Sequence, residues 1–159
     1  MSNAEKKLSE MGYVLPDPPS PLANYIPGYR SGNLVFLSGV GPRSSTGDSI
    51  TGKLGKDLTV EQGYEAAKLC GLNLLANLKL IIGDLDKVDH IVKVLGMVNS
   101  APDFGQQPDV INGCSDLLVG AFAEKGKHGR SAVGMNALPH GIAVEIEMIV
   151  EVRDSRGNS

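Results

Sequence analysis

An alternation close to the C-terminus is the clearest pattern in the chain. From Ile142 to Val150, the residues Ile142, Val144, Ile146, Met148 and Val150 fall on one face of an extended strand. Ala143, Glu145, Glu147 and Ile149 fall on the other. Ser131–Met135 is small and apolar, and Ala137–Gly141 carries the Pro and Gly that punctuate turns, so the two segments read as strands joined by a short turn. Leu34–Leu37 and Ile91–Val98 are apolar at nearly every position, as strands covered on both faces are. Helical spacing takes over after Thr59, an N-cap with Gln62 three residues on to complete a capping box. Val60, Tyr64, Ala67, Gly71, Leu74, Leu78 and Ile81 then recur on one stripe up to Gly83, a residue suited to ending the helix. A second helix is predicted over roughly Pro108–Glu124, with Val110, Ile111, Cys114, Leu117, Leu118 and Phe122 inward.

Weaker signals complete the outline. Residues 4–11 predict a short helix stopped by Gly12, and Leu15–Pro21 an extended arm, because proline fixes φ and restrains its predecessor. A first strand is expected within Asn24–Arg30, and a loop over Arg43–Asp57 with an edge strand near Gly52–Leu54. Asp103 and Phe104 read as the cap and staple of the second helix. The class is α+β: a mostly antiparallel sheet with two helices on one face. Three segments follow: an N-terminal helix and Pro-rich arm over 1–21, one domain over 22–153, and a polar tail over 154–159. Two helices cover one sheet face only, yet the strands are apolar toward both, so the bare face predicts a homo-oligomer.

Composition narrows the partners. The 159 residues carry 15 basic and 18 acidic side chains with no block of like charge, which argues against a nucleic-acid surface built on a basic patch. Trp is absent and aromatics make up 4%, so stacking platforms for single strands are scarce. No apolar run has the length of a membrane span, and the N-terminus lacks the order of a signal peptide, so a cytoplasmic location is expected. Cys70 and Cys114 form no C-x-x-C pair, and Cys70 lies in an apolar helical pattern, reading as a buried reduced thiol. His90, His128 and His140 have no metal-ligand spacing, so no metal is expected.

Chemistry is most legible in Arg130 and Glu145. A guanidinium grips a carboxylate bidentately, and a partly buried glutamate can act as acid or base near neutrality. In a hairpin symmetric about Pro139 the two positions are out of step by roughly 10 Å along the strands, a gap their side chains can close around a small substrate. Alternatively, Glu145 and Glu147 lie on a solvated strand face and Arg130 merely pairs with one of them. Tyr25 is a packing aromatic or a site wall.

Arg130–Val133, followed by Leu138–Pro139 and Val144–Glu147, resembles the C-terminal signature of the Rid family of reactive intermediate deaminases, also called YjgF or L-PSP. Asn24–Tyr25, Gly32–Gly39 and the helix opening at Thr59 match it too, and the resemblance runs in order from Pro18 to Val152. It implies a chorismate-mutase-like fold that trimerises through the bare sheet face, with sites at the subunit interfaces. The implied activity is hydrolysis of enamines and imines, 2-aminoacrylate-like or 2-iminobutanoate-like, to 2-oxo acids and ammonia, without metal or cofactor. By the same resemblance Arg130 binds the substrate carboxylate and Glu145 positions the attacking water. Tyr25, Ser38, Gly39 and Phe104 are walls, and the backbone of Ala132 lies near the imine nitrogen. Ala132 stands where many deaminases have Cys, so a backbone role survives and a thiol role does not. Gly134 and Asn136 replace bulkier residues, Asn99–Ser100 replaces a frequent Lys-Asp, and Pro102 a frequent Asn. With the Pro-rich entry, these departures point to a subgroup distinct from the best-studied deaminases. Two other roles stand beside hydrolysis: a non-catalytic trimer that holds a small carboxylate as sensor or chaperone, and an RNA-cleaving translation inhibitor, which the acidic balance disfavours.

Overall fold

The computed structural model describes residues 1–18, 20 and 24–153. Among these, five strands form one mixed sheet: β1 (Gly28–Ser31), β2 (Leu34–Leu37), β3 (Val88–Asn99), β4 (Gly129–Met135) and β5 (Val144–Val152). Their order is β1-β2-β5-β3-β4; β3 and β4 run parallel and every other pair antiparallel. Three helices accompany them: α1 (Asn3–Glu10), α2 (Val60–Ile82) and α3 (Gln107–Phe122).

Local chemistry explains the helix limits. Thr59 accepts from the Gln62 amide and the Gln62 side chain accepts from the Thr59 amide, which satisfies two donors that the first turn leaves over. Gly83 ends α2 at φ 85°, a conformation that costs other residues more. The middle of α2 is enclosed on all sides, every residue from Cys70 to Leu78 being buried. Side chains such as Leu74, Leu78 and, on α3, Ile111 are removed from water altogether, each contributing about 1.5–3 kcal/mol. α2 and α3 touch backbone to backbone, because a side chain at Gly113 would begin 2.0 Å from the Tyr64 carbonyl oxygen. Gly96 in β3 likewise makes room for Ile111. α1 buries Ala4 and Leu8, and its Glu5 pairs with Lys79 at the end of α2. That lysine draws the Glu5 carboxyl down to about 2.

Residues Val35, Leu37, Val94, Val98, Ile146, Met148 and Val150 face the helices and are buried. The opposite face carries Phe36, Leu95, Met97, Val133 and Ile149, with Phe36 44% and Val133 39% exposed, a broad apolar surface uncovered in the single protomer.

Four readings of the sequence are corrected. β4 and β5 are not a hairpin: β3 lies between them, and the connection through Pro139 steps over one strand. Alternation determines which face a residue takes, but not which strand lies next to it. Asp103 does not cap α3; Gln106 occupies that position without a side-chain cap, and Pro108 in the first turn supplies the start signal. Gly52–Leu54 makes isolated bridges rather than an edge strand. β1 begins only at Gly28, which leaves Tyr25 outside it. Pro19 and Pro21 of the arm, and the tail over 154–159, lie outside the described residues.

Candidate functional site

Glu145 projects from β5 onto the open sheet face, in register with Met97 of β3. Beyond β2 the chain stays against β5, with Val40 and Ile146 exchanging backbone bonds of 3.0 and 3.1 Å. Gly39 is thereby set beneath the glutamate, and a side chain at 39 would begin 3.0 Å from Glu145 Oε2. A side chain there would require the carboxylate to shift by a few tenths of an ångström. Next to it Ser38 Oγ donates to the Ile26 carbonyl at 2.6 Å, tying this bend to the segment that presents the exposed ring of Tyr25. Burial raises the pKa of the half-buried Glu145 carboxyl, and the neighbouring Glu147 charge adds to the effect. No cation or donor among the described residues offsets it, so the carboxyl is poised closer to neutrality than an ordinary glutamate.

Arg130, the second residue of β4, is in register with the buried Val94, which turns its side chain toward α3. Its Nη1 donates to Asn112 Oδ1 at 2.8 Å and to Ser115 Oγ at 3.1 Å. His128 Nδ1 donates to the Gly126 carbonyl at 2.6 Å, so its Nε2 accepts from Ser115 Oγ at 2.9 Å. Burial is the main cause lowering the His128 pKa, and the Arg130 charge acts the same way. Both favour the neutral ring that this chain of bonds requires. Ala132 lies two residues along β4, in register with Gly96. Phe104 stands in the segment before α3, packed on Gly55, with its carbonyl accepting from Gln107 Nε2 at 2.9 Å.

The expected residues therefore form two groups rather than one. Glu145, Gly39, Ser38 and Tyr25 gather where β2 leaves the sheet, while Arg130 and Ala132 lie on edge strand β4 beside α3. From Val94 to Met97 is three residues along β3, and β3 separates β4 from β5, which puts the Arg130 and Glu145 backbones about 14 Å apart. Their side chains leave opposite faces, so no joint pocket exists within one protomer. That overturns the hairpin geometry, in which both reached one substrate from adjacent strands.

Several residues near these groups escaped the sequence reading. Asn112 and Ser115, three apart on α3, had a signal in their shared helix face. Asn99, one of the departures noted above, accepts from Lys53 Nζ at 2.7 Å and donates to the Ile142 carbonyl at 3.2 Å, clamping loops together. A cavity of about 400 Å³ adjoins the Glu145 group, lined by Tyr25, Ser38, Gly39, Arg43, Asn77 and His140 among others. Both thiols are free and buried; burial pushes Cys114 up to about 12 and Cys70 well above its ordinary range. Among the described residues no three His, Cys, Asp or Glu side chains are grouped to hold a metal ion, and no helix is long and apolar enough to cross a membrane.

A helix-backed mixed sheet with a desolvated glutamate at one strand exit and an anchored arginine on its parallel edge strand defines a chorismate-mutase-like α+β protein. The family model described as "YjgF/chorismate mutase-like, putative endoribonuclease" matches residues 5–151, and the chain belongs to this family, that of the Rid and L-PSP proteins. Protein TCP17 of Trypanosoma cruzi is 40% identical over 148 residues, 92% of each chain. The crystal structure of Atu1372 from Agrobacterium tumefaciens, a protein of unknown function, is 43% identical with a TM-score of 0.88 over 94% of each chain. A "putative endoribonuclease" of Shewanella oneidensis is 31% identical, with a TM-score of 0.90 over 94% of this chain and 99% of its own.

Proposed function

We propose that the protein hydrolyses reactive 2-imino acids, and the enamines that tautomerise to them, to 2-oxo acids and ammonia, in a homotrimer whose protomers supply complementary half-sites. The observation that carries this is the Glu145 carboxylate: half-buried, without an offsetting cation among the described residues, and packed closely on Gly39. A guanidinium pre-aimed by Asn112 and Ser115 supports it, since both bonds use Nη1 and leave the other edge of Arg130 for a substrate carboxylate. Because the two groups leave opposite faces, the site needs Arg130 of one protomer beside Glu145 of the next. The uncovered apolar face with Phe36 and Val133 is the surface through which copies would pack.

In the proposed reaction Arg130 holds the substrate carboxylate and Glu145 accepts a proton from water as the oxygen attacks the imine carbon. The nitrogen takes that proton from Glu145 to give the carbinolamine; Glu145 then removes the hydroxyl proton and returns it to nitrogen as the C–N bond breaks, so ammonia departs and the carbonyl forms. One imine and one water give one 2-oxo acid and one ammonia. An imine is already electrophilic, so holding it beside an oriented water supplies most of the acceleration.

The test is semicarbazide-trapped turnover of 2-iminopropanoate and 2-iminobutanoate, generated in place, by wild type and by Arg130→Ala. Faster loss of imine with wild type than with the variant supports the proposal; equal rates refute it. Binding of 2-oxobutanoate that depends on Arg130, without turnover, would instead favour a carboxylate-binding trimer.

A further inference from the structure

Lys53, in the loop between β2 and α2, brings a positive charge to a place where the fold needs only a hydrogen-bond donor. Its Nζ donates to Asn99 Oδ1 at 2.7 Å and to the Asn136 carbonyl, joining the loop to the ends of β3 and β4. A neutral amide makes the same kind of tie elsewhere: Asn73 Nδ2 donates to the Gly41 carbonyl at 3.2 Å and the Arg43 carbonyl at 3.0 Å. An ammonium has three protons, and the two bonds leave one over. The side chain is half-buried and its bond to Asn136 is exposed, so a ligand can reach it. The ion pairs among the described residues do not include Lys53. Asp57, in the same turn, accepts from the Lys53 backbone amide at 2.9 Å rather than from the ammonium. Pro19 and residues 21–23 carry no charged side chain, and the tail over 154–159 follows the end of β5 that pairs with Val88, away from Asn99.

This ammonium stands on the side of the sheet that carries Glu145. Met97 of β3 lies opposite Glu145, and Asn99, two residues further along β3, takes the same face. Diagonal neighbours of this kind are about 7–8 Å apart across an antiparallel pair. A short substrate can therefore meet the Glu145 carboxyl and the Lys53 ammonium at once. We infer that Lys53 anchors a second carboxylate, at the side-chain end of the imino acid, so that the preferred substrates are 2-imino dicarboxylic acids. This rests on the proposed hydrolysis, in which Arg130 of the next protomer takes the first carboxylate. Two acceptors fix the ammonium before the substrate arrives, which leaves little ordering to be done on binding. A dicarboxylate gains an ion pair there that an amide of the same shape does not.

The experiment compares imines made in place by amino-acid oxidases from two matched pairs, aspartate with asparagine and glutamate with glutamine. It uses wild type, Lys53→Gln, which keeps a donor for Asn99, Lys53→Met, and Lys56→Gln, which removes an exposed charge from the same turn. The readout is the ratio of kcat/KM within a pair, so a general loss of activity cancels. Wild type and Lys56→Gln are expected to favour the dicarboxylate of at least one pair by about tenfold, and both Lys53 variants to abolish that preference. Equal rates within both pairs in wild type, a preference that persists without Lys53, or one lost equally in Lys56→Gln overturns the anchor. Should wild type hydrolyse no imine, the deaminase reading falls by itself, and calorimetry with 2-oxoglutarate and its amide 2-oxoglutaramate judges the anchor. Tighter binding of the dicarboxylate by wild type but not by Lys53→Gln supports it; equal affinities, or no binding of either, overturn it.

Discussion

Arg130 is fastened inside its own protomer by Asn112 and Ser115, whereas Glu145, on the other face of the sheet, has only a glycine beneath it and a like charge beside it. The first arrangement fixes the direction of a charge. The second leaves a charge underpaired, so that it can exchange a proton. Binding and chemistry thus make opposite demands on the structure around them, and this chain keeps them on separate strands. In the proposed trimer, bringing them together falls to the assembly.

The comparison can be broken in a graded series. Phe36→Glu puts a charge on the uncovered apolar face; it is expected to reduce the proposed trimer to protomers in light scattering and to remove activity by about 10³-fold or more. Arg130→Ala is expected to cost about 10²–10³-fold in kcat/KM, and Arg130→Lys about tenfold, because an ammonium keeps the charge but loses the fork. Glu145→Gln should lower kcat about 30-fold while 2-oxobutanoate still binds, as loss of a general base does. The wild-type activity should rise with pH through a value above the ordinary carboxylate range, since burial raises the Glu145 pKa. Asn112→Ala and Ser115→Ala act through Arg130, so each should raise KM about 3–10-fold and leave kcat nearly unchanged.

The smallest effect is on stability and has the opposite sign. The folded-state pKa of Glu145 lies above its unfolded value, so the protonated form favours the fold and stability is lost as pH rises through the raised value. Glu145→Gln is therefore expected to melt about 2 °C higher than wild type at pH 7, with the gain gone at pH 3 where the glutamate is neutral in both states. An unchanged or lower melting point at pH 7 would mean that a guanidinium from the next protomer offsets the burial of the carboxylate.

The legible parts of the sequence were those decided within a few residues. The capping box at Thr59, the end at Gly83 and the two faces of β5 follow from spacing and appear in the structure as read. What escaped was decided across the chain. The adjacency of β4 to β3 rather than β5 leaves no trace in either strand's alternation, because a parallel edge strand and a hairpin partner carry the same pattern. Asn112 and Ser115 read as ordinary polar helix positions until Arg130 is known to face them. Asn77 sits in a run of leucines, where its burial cannot be seen from composition. Resemblance to the Rid family identified which residues to compare and implied sites at the subunit interfaces, whereas the hairpin read from spacing wrongly set Arg130 and Glu145 on adjacent strands.

The central claim, that Arg130 of one protomer serves Glu145 of another, is tested most directly by mixing two inactive variants. Arg130→Ala and Glu145→Gln protein, combined in equal amounts and allowed to exchange subunits, would pair an intact arginine with an intact glutamate at one interface in four. About a quarter of wild-type imine hydrolysis should return. Activity that stays at the level of the separate variants, in trimers shown to be hybrid, would contradict a site shared between protomers.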